Sequence, residues 1–479
     1  MAREPFIMEF QTCKGVNELF DCLKPLPYSF LLDTGLPVGN ERFSILGADP
    51  FSVIHSKNGT TRIYSKEGQQ SEQLEGNPLD VMQSWLAGFP PINKLPEIPF
   101  TGGAVGFLGY DLGRQLERVP NCALDDLQTP DLLMGLYDVV LVMDHLTGLK
   151  VIVSTGHPEA EEAKADRRAR ERANWLRELF QQTGSPLLPA LNNHPTGVRA
   201  NFTRQSYQDG VQRAVLHILK GDIFQVNLSQ RFAVESTVDS WQLFKTLKEL
   251  SPAPQSAYFN FREIEVVCSS PERFLKLDHT RRVETCPIKG TRPRGNSEAE
   301  DLLNFHALKE SRKDWAELTM IVDLERSDLG KVCKIGSVRA DIPYRIETFP
   351  TVFHLVSTVS GLLPEDRGIF DLLKAAFPGG SITGAPKIKA MEIIDRLEPV
   401  RRGIYTGSLG YIGFDGRADL NIVIRTIVKV QGTYYFQVGG GITAQSNPEA
   451  EYYETLDKAR ALLRALQYEG SIYHGPYVG

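Results

Sequence analysis

Glu451 and Glu454 stand three residues apart, and Lys458 follows Glu454 by four, in the run Ser446-Asn447-Pro448-Glu449-Ala450-Glu451-Tyr452-Tyr453-Glu454-Thr455-Leu456-Asp457-Lys458. On a helix those spacings place all three on one face. Two carboxylates on a rigid helix suit a hard cation such as Mg2+, which takes oxygen ligands and keeps some water. A solvated face with an ordinary Glu–Lys pair has the same spacing. A second helical run, Lys313 to Leu324, sets Glu317 beside apolar neighbours. A carboxylate there is costly without a metal or a basic partner; an exposed glutamate on an amphipathic helix is the alternative.

Pro287-Ile288-Lys289-Gly290-Thr291 places a lysine after two apolar residues and before a glycine, with Glu272 and Glu284 nearby in sequence. A desolvated lysine has a lowered pKa and can act as a nucleophile; a surface lysine fits the same string. His354 can be an acid, a base or a core histidine. Three glycine-rich stretches, Phe377 to Lys387, Ile404 to Tyr411 and Val438 to Ile442, can bring main chain close to a ligand. The first precedes a helical run, Ile388 to Leu397, whose N-terminus can hold an anion. It is not a P-loop, because the spacing before Lys387 is wrong and Ile388 follows the lysine. Neither G-x-S-x-G nor H-E-x-x-H is present.

These groups need elements to carry them. The pattern predicts a helix from Gln205 to Lys220, one from Glu298 to Asp323 and a C-terminal helix opened by a Ser446/Glu449 capping box with Pro448 in its first turn. Strands are expected at Ala257 to Phe261 and Thr433 to Val438. Earlier in the chain, Phe51 to Tyr64 reads as a hairpin turning at Asn58-Gly59, Thr101 to Tyr110 as a glycine-rich strand and Tyr137 to Met143 as one buried strand. Pro158 to Gln182 reads as a charged helix, and Thr183 to Gly197, rich in Pro, Gly and Asn, as a linker. Few strands are separated by single helices, so a simple parallel βαβ sheet is not expected.

Composition bounds the chemistry. The chain has 479 residues, too many for one ordinary core, and no repeat of 20–50 residues. Lys+Arg is 53 against Asp+Glu at 59, a net charge of -6, so there is no bulk attraction for nucleic acid or an anionic membrane. Apolar stretches such as Val139 to Met143 fall far short of the ~20 residues of a membrane helix. Met1 to Pro5 lacks the apolar run of a signal peptide, and a cytoplasmic protein is expected. The six cysteines are scattered without a C-x-x-C pair, which argues against a cysteine zinc site and a disulfide framework.

Taken together, the motifs resemble those of the chorismate-utilising enzymes, which include anthranilate synthase component I, aminodeoxychorismate synthase component I, and isochorismate and salicylate synthases. The resemblance runs from about Ser206 to Leu466, with a weaker match from Cys13 to Met143. It rests on Asp222 to Arg231, Ser270 to Phe274, Ile321 to Gly330, His354 to Gly361, Gly379 to Lys387, Asp419 to Thr426 and Gly439 to Thr455. It implies an α/β fold of the α+β type: an interwoven, two-sheet antiparallel β-sandwich flanked by helices, with the active site in a cleft. Three stretches follow: an N-terminal region at 13–155, a charged helix and linker at 156–197, and a chorismate-binding catalytic region at 200–470.

Within the family the Lys289 string resembles the aminodeoxychorismate synthase component I branch, whereas anthranilate synthases resemble it with alanine at that position. Gln225 stands where isochorismate and salicylate synthases carry a water-activating lysine, which argues against water as the nucleophile. The resemblance implies a transfer of amide nitrogen to chorismate, giving 4-amino-4-deoxychorismate for para-aminobenzoate and folate. It assigns Lys289 as nucleophile, Glu272 as general acid and His354 as a residue against the substrate ring. Arg425, Lys458, Tyr405, Gly440, Gly441, Thr291 and Gln225 would bind substrate, and Glu317, Glu451 and Glu454 would hold Mg2+. No stretch resembles a glutamine amidotransferase, so ammonia is expected from a separate subunit in a heterodimer. Leu32-Asp33-Thr34 departs from the Leu-Glu-Ser form of feedback-inhibited anthranilate synthases. The rival expectations are anthranilate synthase component I and a catalytically silent scaffold subunit.

Overall fold

The computed structural model describes residues 2–34, 42–65, 70–182, 195, 197–468, 470 and 472–474. Most of the expected linker, Thr183 to Gly197, lies outside the described residues.

Two large sheets, of 13 and 12 strands among the described residues, pair almost entirely antiparallel. Phe30, Val140, Phe259 and Val266 of the larger sheet meet Val105, Phe107, Leu133 and Tyr137 of the smaller in one buried cluster. The apolar area removed from water there is the main force holding sheet on sheet. Both sheets are built from both halves of the chain. In the larger, Ser29–Asp33 pairs with Gln255–Asn260; in the smaller, Gly103–Leu108 pairs with Ser408–Gly413. Helices cover the outer faces, so strands such as Leu132–Tyr137 and Val139–Asp144 are buried along their whole length.

The Asn58-Gly59 hairpin forms between Ser52–Lys57 and Thr60–Ser65, with φ of 51° and 83° at its two turn residues. Both angles are positive, as a tight hairpin turn requires. Three expectations need correction. Tyr137 to Met143 is not one strand: Leu132–Tyr137 belongs to the smaller sheet and Val139–Asp144 to the larger. The crossing is at Asp138, whose buried carboxylate accepts from Arg168 Nε at 3.1 Å and Arg172 Nε at 3.2 Å. Those ion pairs compensate the burial of a charge at the corner.

Glu298 to Asp323 is two helices, Glu298–Lys309 and Arg312–Gly330. Ser311 separates them and caps the second, its hydroxyl accepting from Asp314 N. The C-terminal helix, Pro448–Ala465, is capped by Asn447 and not by Ser446. The Asn447 side chain accepts from Glu449 N and Ala450 N. This frees the Ser446 hydroxyl to donate to Glu451 Oε1 at 2.6 Å.

Candidate active site

Strands from both sheets and two helices carry the expected site residues. Lys289 comes from Ile288–Pro293 at an edge of the smaller sheet. Its neighbour strand Val352–Leu362 supplies His354. Gln225 opens the strand Gln225–Glu235 of the larger sheet, and its partner strand Thr433–Ile442 carries Gly440 and Gly441. Helix Arg312–Gly330 carries Glu317, and the C-terminal helix carries Glu451, Glu454 and Lys458.

The strand bearing Lys289 is irregular where chemistry needs it. Lys289 is opposite Leu355, but Thr291 is opposite His354, so the register slips at Gly290. Gly290 has φ +73°, and a Cβ there would meet Leu308 and Asp314 within 3 Å. Such a bulge re-aims the side chains beside it. The Lys289 ammonium donates to the Ser381 carbonyl at 3.0 Å. Burial lowers the lysine's pKa, against the opposing pull of Glu317 and Glu272. The neutral amine is therefore more accessible than on a surface lysine.

Glu272 sits in the tight connection between Ile264–Ser270 and Arg273–Leu277, only 4% exposed. Burial pushes its carboxyl up to about 7, while the Ser381 hydroxyl, the Lys289 charge, the Ile288 N–H and Arg425 partly offset it. That is the range expected of a group that gives and takes a proton near neutrality. His354 is 2% exposed. Its Nδ1 lies 2.9 Å from Thr291 Oγ1 and its Nε2 3.2 Å from Arg425 Nη2. Burial and the Arg425 charge drive it well below the ordinary histidine value, so the ring is neutral. Arg425 itself adopts φ +50° and is drawn down to about 10 by burial, with Glu272 opposing. It stays a cation in neutral solution, as an anion-binding group must.

The glycine pair explains itself by crowding. A Cβ on Gly441 would stand 2.0 Å from Gln225 Nε2. One on Gly440 would stand 3.1 Å from Glu451 Oε2 and 3.3 Å from Glu454 Oε1. Those two carboxylates thus turn toward the same patch of main chain. Glu451 is 6% exposed and raised by burial, by contrast with the half-exposed Glu454. On Glu454 burial is outweighed by Lys458, whose Nζ is 2.7 Å from Oε1, so its carboxyl lies below the usual value. Glu317 is raised by burial and feels Glu454 across the gap between the helices. Among the described residues no three carboxylates close into a ready cage. The donor set is nevertheless all hard oxygen, with two acids facing one point and a third coupled to them, which fits a cation that keeps water or substrate oxygens.

Lys458 also donates to Gly439 O at 2.7 Å. Tyr405 stands beside Arg402, whose guanidinium is 5.8 Å from its ring, on the wall of a small cavity shared with Thr426. Gln225 is 1% exposed and its Oε1 has no protein partner.

Two residues escaped the sequence reading. The Ser381 carbonyl accepts from Lys289 Nζ at 3.0 Å, and Asn227 Nδ2 donates to the same carbonyl at 2.7 Å. The only sequence signal was the glycine-rich run around Ser381, which pointed to anion binding by N–H groups. Lys387, at the end of that run, is instead occupied by Asp328 at 2.6 Å.

Comparison with known proteins places the chain in a family. The profile of the chorismate binding enzyme family matches residues 37–464. Aminodeoxychorismate synthase component 1 of Salmonella typhimurium is 40% identical, covering 95% of this chain and 96% of that protein. Anthranilate synthase component 1 of Thermus thermophilus is 39% identical, covering 97% of each. The crystal structure of anthranilate synthase component I from Streptococcus pneumoniae superposes with a TM-score of 0.74 at 31% identity, covering 89% of this chain and 93% of that one. The chain belongs to the family of chorismate binding enzymes.

Proposed function

We propose that the chain is the component of an aminodeoxychorismate synthase that converts chorismate and ammonia to 4-amino-4-deoxychorismate. The observation that carries this reading is Lys289: a half-buried amine whose pKa is lowered by desolvation, held beside a carboxyl pushed up to about 7. Nucleophile and acid are then ready together.

In the first step the neutral Lys289 amine bonds to ring carbon 2. The ring double bond shifts and the carbon 4–oxygen bond breaks. Glu272 gives its proton to the departing hydroxyl, which leaves as water and not as the poor leaving group hydroxide. In the second step ammonia bonds to carbon 4, and the carbon 2–lysine bond breaks to return the amine. The new ammonium gives a proton to the Glu272 carboxylate and restores the acid. The balance is one ammonia in and one water out, and the pyruvyl ether is untouched.

Arg425 and Lys458 would meet the substrate carboxylates as fixed cations. Gly440 and Gly441 would let anionic groups approach main chain, with Tyr405, Thr291 and Gln225 completing the walls. His354, neutral and bonded to both Thr291 and Arg425, would orient the arginine. Glu317, Glu451 and Glu454 would hold Mg2+, and the ion when bound would stabilise charge on the ring carboxylate. Ammonia would come from a separate glutamine amidotransferase subunit, in the cytoplasm.

The 39% identity to an anthranilate synthase component keeps a second reading in view. Mass analysis of products from chorismate, Mg2+ and ammonium separates the two. A product that retains the pyruvyl ether and gains an amine supports the proposal. Anthranilate with free pyruvate would overturn it.

A further inference from the structure

We propose that Arg402 is a positioning residue, whose guanidinium clamps together the segments that hold Lys289 and Tyr405 in place for the reaction. The inference rests on the amination reading and adds a residue to its machinery. Arg402 is 4% exposed, in the turn that follows helix Lys387–Leu397. A guanidinium carries five N–H donors in one plane, and all five are engaged here. Nε donates to Glu398 Oε2 at 3.0 Å, and Nη2 to Glu398 Oε1 at 2.8 Å. The other hydrogen of Nη2 goes to Asn227 O at 2.9 Å. Nη1 donates to Ile382 O at 3.0 Å and to Thr406 Oγ1 at 3.3 Å.

Beyond Glu398, the acceptors lie far apart in sequence, and each leads to a reacting or binding group. Ile382 follows Ser381, whose carbonyl accepts from Lys289 Nζ at 3.0 Å. Asn227 follows Gln225 and Val226 on the strand Gln225–Glu235, and its Nδ2 donates to that same Ser381 carbonyl at 2.7 Å. The Lys289 amine is therefore tied to a carbonyl whose neighbours on both sides are held by Arg402. Thr406 follows Tyr405 and has φ +58°, a left-handed conformation that a β-branched residue rarely takes. Its hydroxyl donates to Tyr405 O at 2.6 Å while accepting from Arg402, so the fork also holds the loop that presents Tyr405.

The clamp carries its own counter-charge. Glu398 is 3% exposed, and its Oε1 also accepts from Ser229 N at 2.9 Å and Ser229 Oγ at 2.8 Å. A buried ion pair adds little net stability, because desolvation offsets the attraction. With every donor matched to an acceptor, what this one supplies is a fixed geometry. The ring centres of Tyr110 and Tyr405 lie 4.8 Å and 5.8 Å from the guanidinium carbon. A lysine at this place would keep the charge beside Glu398, but its three donors sit on one nitrogen and cannot span acceptors spread around a plane. The shape of the fork, more than its charge, is what the arrangement uses.

Arg402→Lys, assayed with chorismate and ammonia well below its unfolding temperature, should lose about 10–100-fold in kcat per folded molecule, the scale of a lost alignment. Its KM for chorismate should rise about threefold through the loosened Tyr405 loop. A role in folding alone would lower the folded fraction and leave KM unmoved. Arg402→Ala should lose more activity, and guanidinium chloride, at concentrations that leave the wild type unaffected, should restore at least about tenfold in kcat. Ethylammonium chloride, a cation without the fork, should not. Wild-type kcat in Arg402→Lys would overturn the proposal. So would a fall in kcat with KM unmoved and no response to guanidinium, or equal rescue by the two cations. Should neither variant fold, Thr406→Val removes one acceptor and keeps the shape; it should raise KM about threefold, and unchanged kinetics in it would overturn the proposal. The comparison is made on whichever chorismate product the wild type forms. An anthranilate product would sink the amination reading while Arg402 still meets or fails its own test.

Discussion

Arg425 Nη2 stands 3.2 Å from His354 Nε2, and since a guanidinium can only donate, the imidazole accepts there. The hydrogen-bond network then assigns the ring proton to Nδ1, which faces the Thr291 hydroxyl at 2.9 Å. The ring is a strut between strand and cation, with no spare proton to move. His354→Ala should release Arg425 and raise KM for chorismate by about tenfold, roughly 1.4 kcal/mol of binding. Its effect on kcat should be smaller. A kcat loss that exceeds the KM effect would instead make the histidine a proton carrier.

Lys289→Ala should abolish amination, with kcat reduced by about 10³-fold or more, the scale seen when a covalent nucleophile is removed. Borohydride is of no use for trapping, because the adduct is an amine and not an imine. Intact-protein mass spectrometry after rapid acid quench should show the wild type heavier by chorismate less one water, and Lys289→Ala unshifted. Full activity in Lys289→Ala, with no adduct on the wild type, would leave the lysine a purely electrostatic role at most.

The acidic triad makes a separate claim. Isothermal calorimetry should give a Mg2+ affinity that falls at least about tenfold, roughly 1.4 kcal/mol, in each of Glu317→Gln, Glu451→Gln and Glu454→Gln. Chelation should stop turnover and added Mg2+ restore it. Glu451 is raised by burial and, less, by the Glu454 charge, so its isosteric amide should leave the metal-free protein at least as thermally stable. Unchanged Mg2+ binding in all three variants would place the cation elsewhere.

Sequence periodicity located the helices that carry Glu317 and Glu451, because an amphipathic helix writes its face into the chain at every third or fourth residue. It joined two helices across Glu310-Ser311, since a single capping serine interrupts the apolar pattern only briefly. It also ran one strand through Asp138, because strands buried on both faces look alike whichever sheet they enter. Composition and spacing gave no sandwich; that expectation came through the family motifs. The pairing of Ser29–Asp33 with Gln255–Asn260 links residues more than two hundred apart, and no local pattern encodes it. Ser381 was invisible for a similar reason. A serine among glycines reads as turn chemistry, and only the folded register shows that its carbonyl meets Lys289.

Glu272 supplies the sharpest test of pH. Burial holds its folded-state pKa near 7, above the ordinary carboxylate value. The protonated form is the acid that the first step consumes, so activity depends on it below about 7 and is lost as pH rises through that value. Free ammonia changes in the opposite sense, becoming more abundant with pH, and hides this limb when total ammonium is fixed. At a constant concentration of free ammonia, kcat/KM for chorismate, which reports the free enzyme, should fall on the alkaline side with a midpoint near 7. Glu272→Gln should lose about 10²–10⁴-fold in kcat, the usual worth of general acid–base catalysis, and should lose that limb with it. If the limb survives in Glu272→Gln, another group gives the leaving hydroxyl its proton.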